Sequence, residues 1–513
     1  MVEKLNSMGI IGINPYLVKV EVDISTGMPY FDIVGLPDAS VKEAKDRVRA
    51  ALKNCGFDFP IARIIVNLAP ADIKKFGAIY DFPILIAVLK CSKQLNAQLD
   101  DAIIIGELSL SGDLNPINGV LPMIIKAKEL GFKKVFLPKD NAAEGAIIND
   151  ISIYPVNKIT DFINHINALS QIPIHPRTKI TKTPNKNFID LKDVKGQFDA
   201  KRALEIAAAG GHNILLVGPP GSGKSMLAKR IPTILPEMTF DEIIETTKIY
   251  SIMGALPQEI PLITNRPFRS PHHTISSSGI SGGGSIPKPG ELSMAHNGVL
   301  FLDELPEFPK NTLESLRQPI EDCQVTISRV KGTLTYPCAV MLVAAMNPCP
   351  CGYFGHPSRP CICSDYTISK YLSKISGPLL DRIDIHIEVP PVDFESICSI
   401  NNTLEETSAN VKERVNKARE IQNLRYKELK INFNSKAPLN VMEKFSNLTD
   451  SAKDILKKAF DVLNLSARAY DKILKISRTI ADIEGSETIE VAHISEAIQY
   501  RSLDRKYWFR NNK

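Results

Sequence analysis

The stretch "GPPGSGKS", residues 218–225 and here called the phosphate loop, has the glycine content and spacing of a loop that closes around nucleotide phosphates. The apolar segment Ile214–Val217 precedes it and predicts a buried strand, and helical spacing follows. Lys224 is predicted to contact the β- and γ-phosphates and Ser225 to hold Mg²⁺, although a glycine-rich turn without a ligand is the alternative. The predicted nucleotide-binding residues of this loop are Gly218, Pro219, Pro220, Gly221, Ser222, Gly223, Lys224 and Ser225.

Two acids and one asparagine, each at the end of an apolar segment, have the side chains that nucleotide hydrolysis needs. In "GVLFLDELPEF", Val299–Leu302 predicts a strand that ends at Asp303 and Glu304. Asp303 is predicted to ligate Mg²⁺ through water, and Glu304 to polarise the attacking water. The next apolar segment, "AVMLVAAMN", ends in Asn347, which is predicted to hold that water near the γ-phosphate. The alternatives are an exposed acidic turn and a polar cap on a strand end.

Two arginines further along the chain are candidate nucleotide contacts. Arg382 stands between acids in "GPLLDRIDIHIEVP", and is predicted to reach a neighbouring subunit's γ-phosphate and neutralise transition-state charge. The alternative is a local ion pair with Asp381 or Asp384, which is worth little at a surface. Arg468 begins the amphipathic pattern "LSARAYDKILKISRTIADIEG" and is a candidate contact from a helical lid, although spacing alone does not show this.

The stretch "NPCPCGYFGHPSRPCIC", residues 347–363 and here called the cysteine loop, contains four of the nine cysteines. Four thiols are the ligand set of a closed structural Zn²⁺ site, and a loop rich in glycine and proline gains stability from metal because it buries no core. His356 is a substitute ligand, and the alternative is reduced thiols that pack as small apolar groups. The predicted zinc ligands are Cys349, Cys351, Cys361 and Cys363.

The elements that must position these residues divide the chain into regions. Residues 1–168 mix strand-like and helix-like segments, and 169–187 read as a linker because they are rich in Pro, Lys and Thr. Over 188–395 strands and helices alternate, which predicts a parallel sheet with crossover helices. Residues 396–513 have helical patterns throughout.

The composition is that of an ordinary globular protein, with 44% hydrophobic and 23% charged residues. No apolar run reaches the roughly 18 residues of a membrane helix, and the N-terminus lacks the apolar core of a secretory signal. We therefore expect a cytoplasmic protein with no membrane partner, whose clustered cysteines bind metal or do redox chemistry rather than form disulfides. The net charge of +5 permits a nucleic-acid partner without arguing for one.

The candidate residues follow one another along the chain in the order found in AAA+ ATPases, which they resemble: the phosphate loop, "FLDE", Asn347, Arg382 and Arg468. The text "RPFRSPHHTISSSGISGGGSIPKPGELSMAHNGVLFLDELPEF" closely resembles the Mg-chelatase-like branch, and nearly the whole chain resembles its ComM/YifB family. The resemblance implies an ATP- and Mg²⁺-dependent homo-oligomeric ring, a hexamer, that acts on DNA as a branch-migration helicase in recombination or natural transformation. It also implies that residues 194–197 flank the adenine.

The N-terminal region resembles the proteolytic domain of Lon, through "IIGELSLSGDLNPINGVLPMIIKAKELGFKKVFLPKDN". Leu121 stands where Lon has its catalytic lysine, and the nucleophile segment "KKFGAIYDF" has no serine, so we expect a proteolytically inactive scaffold. Lys74, Lys75 and Lys126 are expected to be solvated charges. The fold class implied is α/β: a Lon-protease-like (ribosomal S5-like) α+β domain, an AAA+ P-loop α/β core and a C-terminal helical lid.

Two insertions are implied to point into the ring's pore. The first covers "SPHHTISSSGISGGGSIPKPG", where His272 and His273 would face opposite sides of a strand and so are expected to be structural rather than joint metal ligands. The second, "VTISRVKGTLTY", predicts a hairpin with Arg329 and Lys331 at its tip. A ring of such cations suits the DNA backbone, and ordinary solvent exposure is the alternative.

Three functions compete on this sequence. The leading hypothesis is an ATP-driven DNA translocase or helicase. The first rival is a motor subunit for metal insertion into a porphyrin, against which stand the N-terminal domain and the cysteine loop. The second is a nucleotide-switched assembly scaffold, against which Glu304 argues because a pure switch can dispense with that base. The C-terminal "RSLDRKYWFRNNK" is expected to dock by its aromatic side chains.

Overall fold

The computed structural model describes residues 2–179, 189–257, 259–284, 287–329, 332–391, 405–429, 431–463, 465–503 and 507–508. Contacts divide the chain into two compact units. The first unit contains Met1–Lys182 and Ile243–Thr264, and the second contains Thr183–Glu242 and Asn265–Lys513. The first unit is therefore discontinuous in sequence, because a segment that follows the phosphate loop belongs to it.

The first unit is an α+β fold on a seven-stranded mixed sheet with strand order β3-β4-β2-β1-β5-β8-β9. Its strands are β1 (Val2–Ile11), β2 (Asn14–Ser25), β3 (Tyr30–Val34), β4 (Arg63–Ala69), β5 (Ala102–Ile104), β6 (Glu107–Leu108), β7 (Leu114–Asn115), β8 (Lys134–Pro138) and β9 (Ser152–Val156). Its helices are α1 (Ala39–Lys42), α2 (Ala44–Asn54), α3 (Asp81–Cys91), α4 (Val120–Glu129), α5 (Ala142–Gly145) and α6 (Ile159–Ile166).

Alternation of apolar and polar residues explains the long strand β2. Val18, Val20 and Val22 are fully buried, whereas Lys19 and Glu21 between them are exposed or half-buried. Side chains point to opposite faces at successive strand positions, so one face of β2 joins the core and the other meets solvent. This alternation is the pattern of a half-buried strand, and the structure has a strand there.

The second unit is built on a five-stranded sheet, order β11-β14-β17-β10-β18, in which every pair is parallel. Its strands are β10 (Ile214–Val217), β11 (Phe268–Arg269), β12 (Gly282–Gly283), β13 (Lys288–Pro289), β14 (Val299–Leu302), β15 (Gln324–Arg329), β16 (Gly332–Pro337), β17 (Met341–Met346), β18 (Ile385–Glu388), β19 (Asn447–Leu448) and β20 (Thr488–Ile489). The predicted parallel sheet is confirmed.

Helices of the second unit surround this sheet and form the C-terminal region. They are α7 (Phe198–Gly210), α8 (Lys224–Ile234), α9 (Phe240–Met253, which continues into the first unit), α10 (Ser277–Ser281), α11 (Glu291–Met294), α12 (Lys310–Glu314), α13 (Arg317–Asp322), α14 (Asp365–Leu372), α15 (Gly377–Leu380), α16 (Ser408–Arg425), α17 (Leu439–Phe445), α18 (Asp450–Leu463), α19 (Ala467–Glu484) and α20 (Val491–Gln499). The described part of 396–513 is thus mainly helical, as predicted. No helix in the described ranges is long and apolar enough to cross a membrane.

Strand register determines which residues meet at each edge of the five-stranded sheet. Strands β10, β14 and β17 are fully buried apolar runs, as expected for parallel strands covered on both faces. Val217 pairs with Met346 and Leu302 with Ala344. The carboxyl ends of the three strands therefore lie together, at what is called here the carboxyl edge of the sheet. The phosphate loop, the two acids and the asparagine predicted above follow these ends directly.

Strand β18 places Arg382 at the opposite edge of the sheet, where the amino-terminal ends of the strands lie. Ile214 at the start of β10 pairs with Ile385 at the start of β18, and Arg382 precedes that residue. The strand β10 has 4 residues. At about 3.3 Å per residue, the two edges are roughly 10–13 Å apart.

Candidate functional site

Lys224 lies at the centre of the phosphate-loop site. Its side chain is 8% exposed, and Nζ donates to the carbonyl oxygens of Gly218 and Pro219, both at 2.8 Å, and to Oδ1 of Asn347 at 3.2 Å. The loop is tied to the sheet because Gly218 N–H donates to the Met346 carbonyl at 3.2 Å. The structure therefore brings together the lysine and the asparagine that the sequence placed 123 positions apart.

Burial lowers the pKa of the Lys224 ammonium to about 8, and the nearby Asp303 carboxylate opposes that effect only in part. In this state its donors are satisfied by neutral carbonyl and amide oxygens. An anionic phosphate brought to the loop would give the buried ammonium a stronger partner than these dipoles. The loop is thus electrostatically prepared for an anion.

Ser225 and Asp303 form the candidate Mg²⁺ site. The Ser225 hydroxyl donates to Oδ2 of Asp303 at 2.6 Å, so the two predicted ligands already touch. Hydroxyl and carboxylate oxygens are the ligand types that Mg²⁺ prefers. Within the described residues the buried hydroxyl of Ser222 and the buried Oε1 of Gln197 have no hydrogen-bond partner, as expected where a polar ligand completes a site. The residues present fit a Mg–nucleotide complex.

Glu304 has a partner that the sequence did not reveal. Its backbone is in the left-handed region, with φ of 53°, and its side chain is 57% exposed. Oε2 of Glu304 lies 3.3 Å from Nδ1 of His273. The His272 and His273 ring centroids are 4.1 Å apart. The expectation that the two histidines diverge on a strand is wrong, because the chain turns here: the Ile275 N–H donates to the His272 carbonyl at 3.0 Å.

Arg382 and Arg468 line one cavity of about 290 Å³ at the N-terminal edge of the sheet. Arg382 donates to the Arg317 carbonyl at 2.8 Å, and its NH2 lies 2.6 Å from a carboxylate oxygen of Glu321. That carboxylate is 60% exposed, and the alternative partners Asp381 and Asp384 do not pair with Arg382 in the described structure. Arg468, 65% exposed, lies 3.7 Å from Asp381. Both arginines are therefore remote from their own phosphate loop.

The segment before α7 packs beside the phosphate loop. Gln197 has a left-handed backbone, and its Nε2 donates to the carbonyl oxygens of Ser222 at 3.2 Å and Pro390 at 2.6 Å. The next residue, Phe198, is 59% exposed and lines a cavity of about 250 Å³. Residues 194–197, which the resemblance placed beside the adenine, directly precede Phe198, but they do not line this cavity. The sequence did not single out Phe198, because a lone aromatic carries no motif.

The four cysteines predicted to bind zinc converge. Their four Sγ atoms lie within 4.8 Å of one another. Sγ of Cys349 is 3.3 Å from that of Cys351 and 3.7 Å from that of Cys361, and the Cys351–Cys361 distance is 3.5 Å. Thiolates at the corners of a tetrahedron around Zn²⁺ are about 3.8 Å apart, because each Zn–S bond is about 2.3 Å. The donor set therefore fits a tetrahedral Zn²⁺ site.

His356 is not a fifth member of this cluster. Its Nδ1 accepts hydrogen bonds from the backbone N–H groups of Ser358 and Arg359, both at 3.1 Å. Its role is to fold the tip of the cysteine loop.

The predicted hairpin is confirmed. Strands β15 and β16 pair antiparallel from Gln324–Pro337 to Arg329–Gly332. Arg329, the last residue of β15, is exposed. Lys331 lies outside the described residues.

Two residues of the Lon-like region also received roles from the sequence. Leu121 is fully buried at the start of α4, and its N–H donates to Oε1 of Glu144 at 2.8 Å. Lys75 is buried, so its assignment as a solvated charge is wrong. Its ammonium donates to the backbone carbonyls of Pro70 and Ile73, which makes it a structural cation.

The described part of the C-terminal tail docks by its aromatic side chains. Tyr507 is 4% exposed, and its hydroxyl donates to Oε1 of Glu388 at 3.2 Å. The ring centroids of Tyr507 and Phe354, in the cysteine loop, are 6.2 Å apart. Trp508 lies 6.0 Å from the His386 ring.

Comparison with protein families adds to this geometry. A model of the magnesium chelatase subunit ChlI matches residues 190–397, a model of subunit ChlI of Mg-chelatase matches 20–141, and one of the ChlI C-terminal region matches 405–501. Lon protease 2 of Bacillus subtilis is 30% identical over 148 residues, which is 26% of this chain and 25% of its own length.

Several relatives match nearly the whole chain, among them a competence protein and a YifB protein. Competence protein ComM of Haemophilus influenzae is 44% identical over 508 residues, 97% of each chain. Protein YifB of Escherichia coli is 42% identical over 507 residues, 98% of this chain and 97% of its own. With a phosphate loop, acids and asparagine at one edge of a parallel sheet, and these matches along its length, the chain belongs to the ComM/YifB family of Mg-chelatase-like AAA+ proteins.

Proposed function

We propose that this protein is an ATP-hydrolysing ring motor that acts on DNA as a branch-migration helicase or translocase of the ComM type. The proposal of ATP hydrolysis rests on two hydrogen-bonded pairs at the carboxyl edge of the sheet, Lys224 with Asn347 and Ser225 with Asp303. The DNA part rests on the family and on the name of the Haemophilus influenzae relative, a competence protein.

Each side chain at this edge has a role in the proposed hydrolysis. Lys224 exchanges its carbonyl partners for the β- and γ-phosphates, while Ser225 and Asp303 hold Mg²⁺. When bound, Mg²⁺ neutralises charge on the phosphate oxygens. Asn347 orients the attacking water, and Glu304 accepts its proton.

The position of the two arginines supports a homo-oligomer, which we propose is a hexamer. Arg382 and Arg468 lie at the edge of the sheet opposite their own phosphate loop, about 10 Å or more away. In a ring, that edge is available to the nucleotide of the neighbouring subunit. Arg382 then neutralises transition-state charge there, and Arg468 contacts the same nucleotide.

The hairpin β15–β16 is the proposed DNA contact. Arg329 and Lys331 give each subunit two cations near the turn, and a ring of subunits multiplies them around one axis. Such cations bind the phosphate backbone without reading sequence. Replacing both with alanine should weaken DNA binding and reduce its salt dependence.

We also propose that the cysteine loop holds one Zn²⁺ per chain and that the Lon-like unit is proteolytically inactive. The sulfur positions support the metal. Buried Leu121 at the lysine position supports the second statement. Elemental analysis of untagged protein tests the first. Cleavage of casein that an N-terminal point mutation abolishes would contradict the second.

One experiment separates this function from metal insertion into a porphyrin. ATP hydrolysis is measured alone, with single-stranded DNA and with forked DNA, with Glu304→Gln as the inactive control. Stimulation by DNA supports the motor. Stimulation only by the remaining subunits of a magnesium chelatase supports metal insertion instead. The matches to magnesium chelatase family models are the observation that favours this second function.

A further inference from the structure

The cysteine loop lies directly against the phosphate loop. A Cβ on Gly352 would lie 2.4 Å from Cδ and 2.7 Å from Cγ of Pro220, so the two residues are in close van der Waals contact. Gly352 is buried and has a left-handed backbone, with φ of 84°. Its N–H donates to the Cys349 carbonyl at 3.0 Å, which ties this contact point to one of the four thiol residues.

A second path connects the same loop to the site. Asn347 opens the cysteine loop, and its Oδ1 accepts from the Lys224 ammonium at 3.2 Å. Cys349 follows two positions later and is fully buried. The backbone that positions Cys349 therefore also positions the partner of the essential lysine.

The cysteine loop has no regular secondary structure of its own. The described structure assigns neither helix nor strand to any residue from 347 to 364. Ile362, between two of the cysteines, is 87% exposed, so it adds nothing to a core. A segment of this kind gains its order from metal ligation, because four bonds to one ion replace the missing apolar contacts.

We propose that a thiophilic divalent cation, Zn²⁺, held by Cys349, Cys351, Cys361 and Cys363, fixes Gly352 against Pro220 and so sets the affinity of the phosphate loop for nucleotide. This inference rests on the proposed zinc site and on the proposed nucleotide site. It needs neither DNA nor hydrolysis. The metal acts as a positioning element, since the hydrogen bonds described for its ligands join the thiols to one another and not to a nucleotide-binding side chain.

The first experiment measures zinc content and the dissociation constant for Mg·ADP on the full-length protein. Cys361→Ser is compared with Cys323→Ser, a half-buried thiol outside the cluster. We expect Cys361→Ser to lose zinc and to bind Mg·ADP about tenfold more weakly, the equivalent of about 1.4 kcal/mol. Cys323→Ser should keep both zinc and affinity.

The second experiment keeps the metal and changes the contact. Gly352→Ala adds a methyl group against Pro220, whereas Gly485→Ala imposes the same left-handed strain, at φ of 71°, in open space. We expect Gly352→Ala alone to retain zinc and lose affinity. Because alanine lacks Cδ and Cγ, the double variant Pro220→Ala/Gly352→Ala should bind more tightly than the two single effects predict together.

The outcomes are distinguishable. Protein without zinc after metal-replete expression overturns the metal site. If the parent and Gly352→Ala hold zinc, Cys361→Ser has lost it, and all three bind Mg·ADP with equal affinity, the coupling is overturned and the metal site stands. Failure of DNA to stimulate ATP hydrolysis overturns the proposed motor and leaves both results standing.

Discussion

At the scale of single residues, the site depends on side chains whose protonation and position the sheet controls. Lys224→Ala removes the buried cation of the phosphate loop, and nucleotide binding should be lost, as measured by calorimetric titration with Mg·ADP.

Glu304→Gln should bind ATP but hydrolyse it about 10²- to 10⁴-fold more slowly, because the amide cannot accept the proton. Assembled rings should then accumulate in ATP. Glu307→Gln, an exposed acid on the same turn that pairs with Lys374, is the matched control. Equal turnover in Glu304→Gln and the parent contradicts the assignment.

His273 is predicted to position Glu304. Its ring nitrogen lies 3.3 Å from the carboxylate, and the ring does not need to contact the nucleotide to act. His273→Ala should lower kcat by up to about 10²-fold through misplacement of the base, with KM for ATP nearly unchanged. His272→Ala, which removes the neighbouring ring and a bond to Thr274, is the control. A purely structural role would lower kcat equally in both variants and reduce protein stability.

Residue spacing predicted the chemistry of the site, and it missed the contacts made across the fold. Lys224, Ser225 and Asp303 were assigned because their motifs are local and each strand–loop pattern is short. His273 was not linked to Glu304, because the pair joins two loops whose approach depends on strand order. The contact between Gly352 and Pro220 likewise joins two loops that are far apart in the sequence. No local pattern in the cysteine loop shows that the phosphate loop is its neighbour.

At the scale of elements, helix α4 and helix α5 meet through one buried acid. Oε1 of Glu144 accepts from the Leu121 N–H at 2.8 Å and also from the Ser251 hydroxyl. Burial raises the pKa of the Glu144 carboxyl above its usual value, and these two donors only partly oppose it. The native state therefore holds this proton more tightly than the unfolded chain does.

This shift predicts a pH dependence for the stability of the first unit. The contribution of Glu144 is fully present below the carboxyl's usual pKa and is lost as the pH rises through the raised native value. Glu144→Gln keeps the acceptor oxygen and cannot ionise. Its protection against amide hydrogen exchange in α4, relative to the parent, should therefore increase from pH 4 to pH 8. Glu129→Gln, 57% exposed, should show no such trend. A parallel pH profile in Glu144→Gln and the parent contradicts the prediction.

Element types were largely predictable, and element junctions were not. The apolar runs that became β10, β14 and β17 are short, uninterrupted and bounded by polar residues, which is the pattern of buried parallel strands. The transfer of Ile243–Thr264 to the first unit was not predicted. Helical spacing in this region shows a helix, and it carries no information about which core receives it.

At the scale of the whole molecule, substitution of Arg382 tests the proposal that active sites are shared between subunits. Arg382→Ala should bind ATP nearly normally and hydrolyse on the order of 10³-fold less. Mixing Arg382→Ala with Lys224→Ala subunits creates interfaces with an intact phosphate loop on one side and an intact arginine on the other. Those mixtures should regain ATPase activity that neither variant shows alone. No rescue at any ratio indicates an arginine that acts within its own subunit. Glu321→Gln, which removes only the exposed partner of Arg382, should remain active.

The discontinuity of the first unit has a consequence for the newly made chain as it leaves the ribosome. Gly119 and Glu144 are synthesised early, but the Ser251 groups that bond to them emerge only after residues 183–242. At roughly 5–20 residues per second, the first unit waits several seconds for its last segment. The phosphate loop emerges within that interval. A nascent chain arrested before Ile243 therefore carries the phosphate loop but lacks Asp303, Glu304 and Asn347, and its N-terminal unit is still unfinished. The two units of this protein therefore cannot complete their folding one after the other during synthesis.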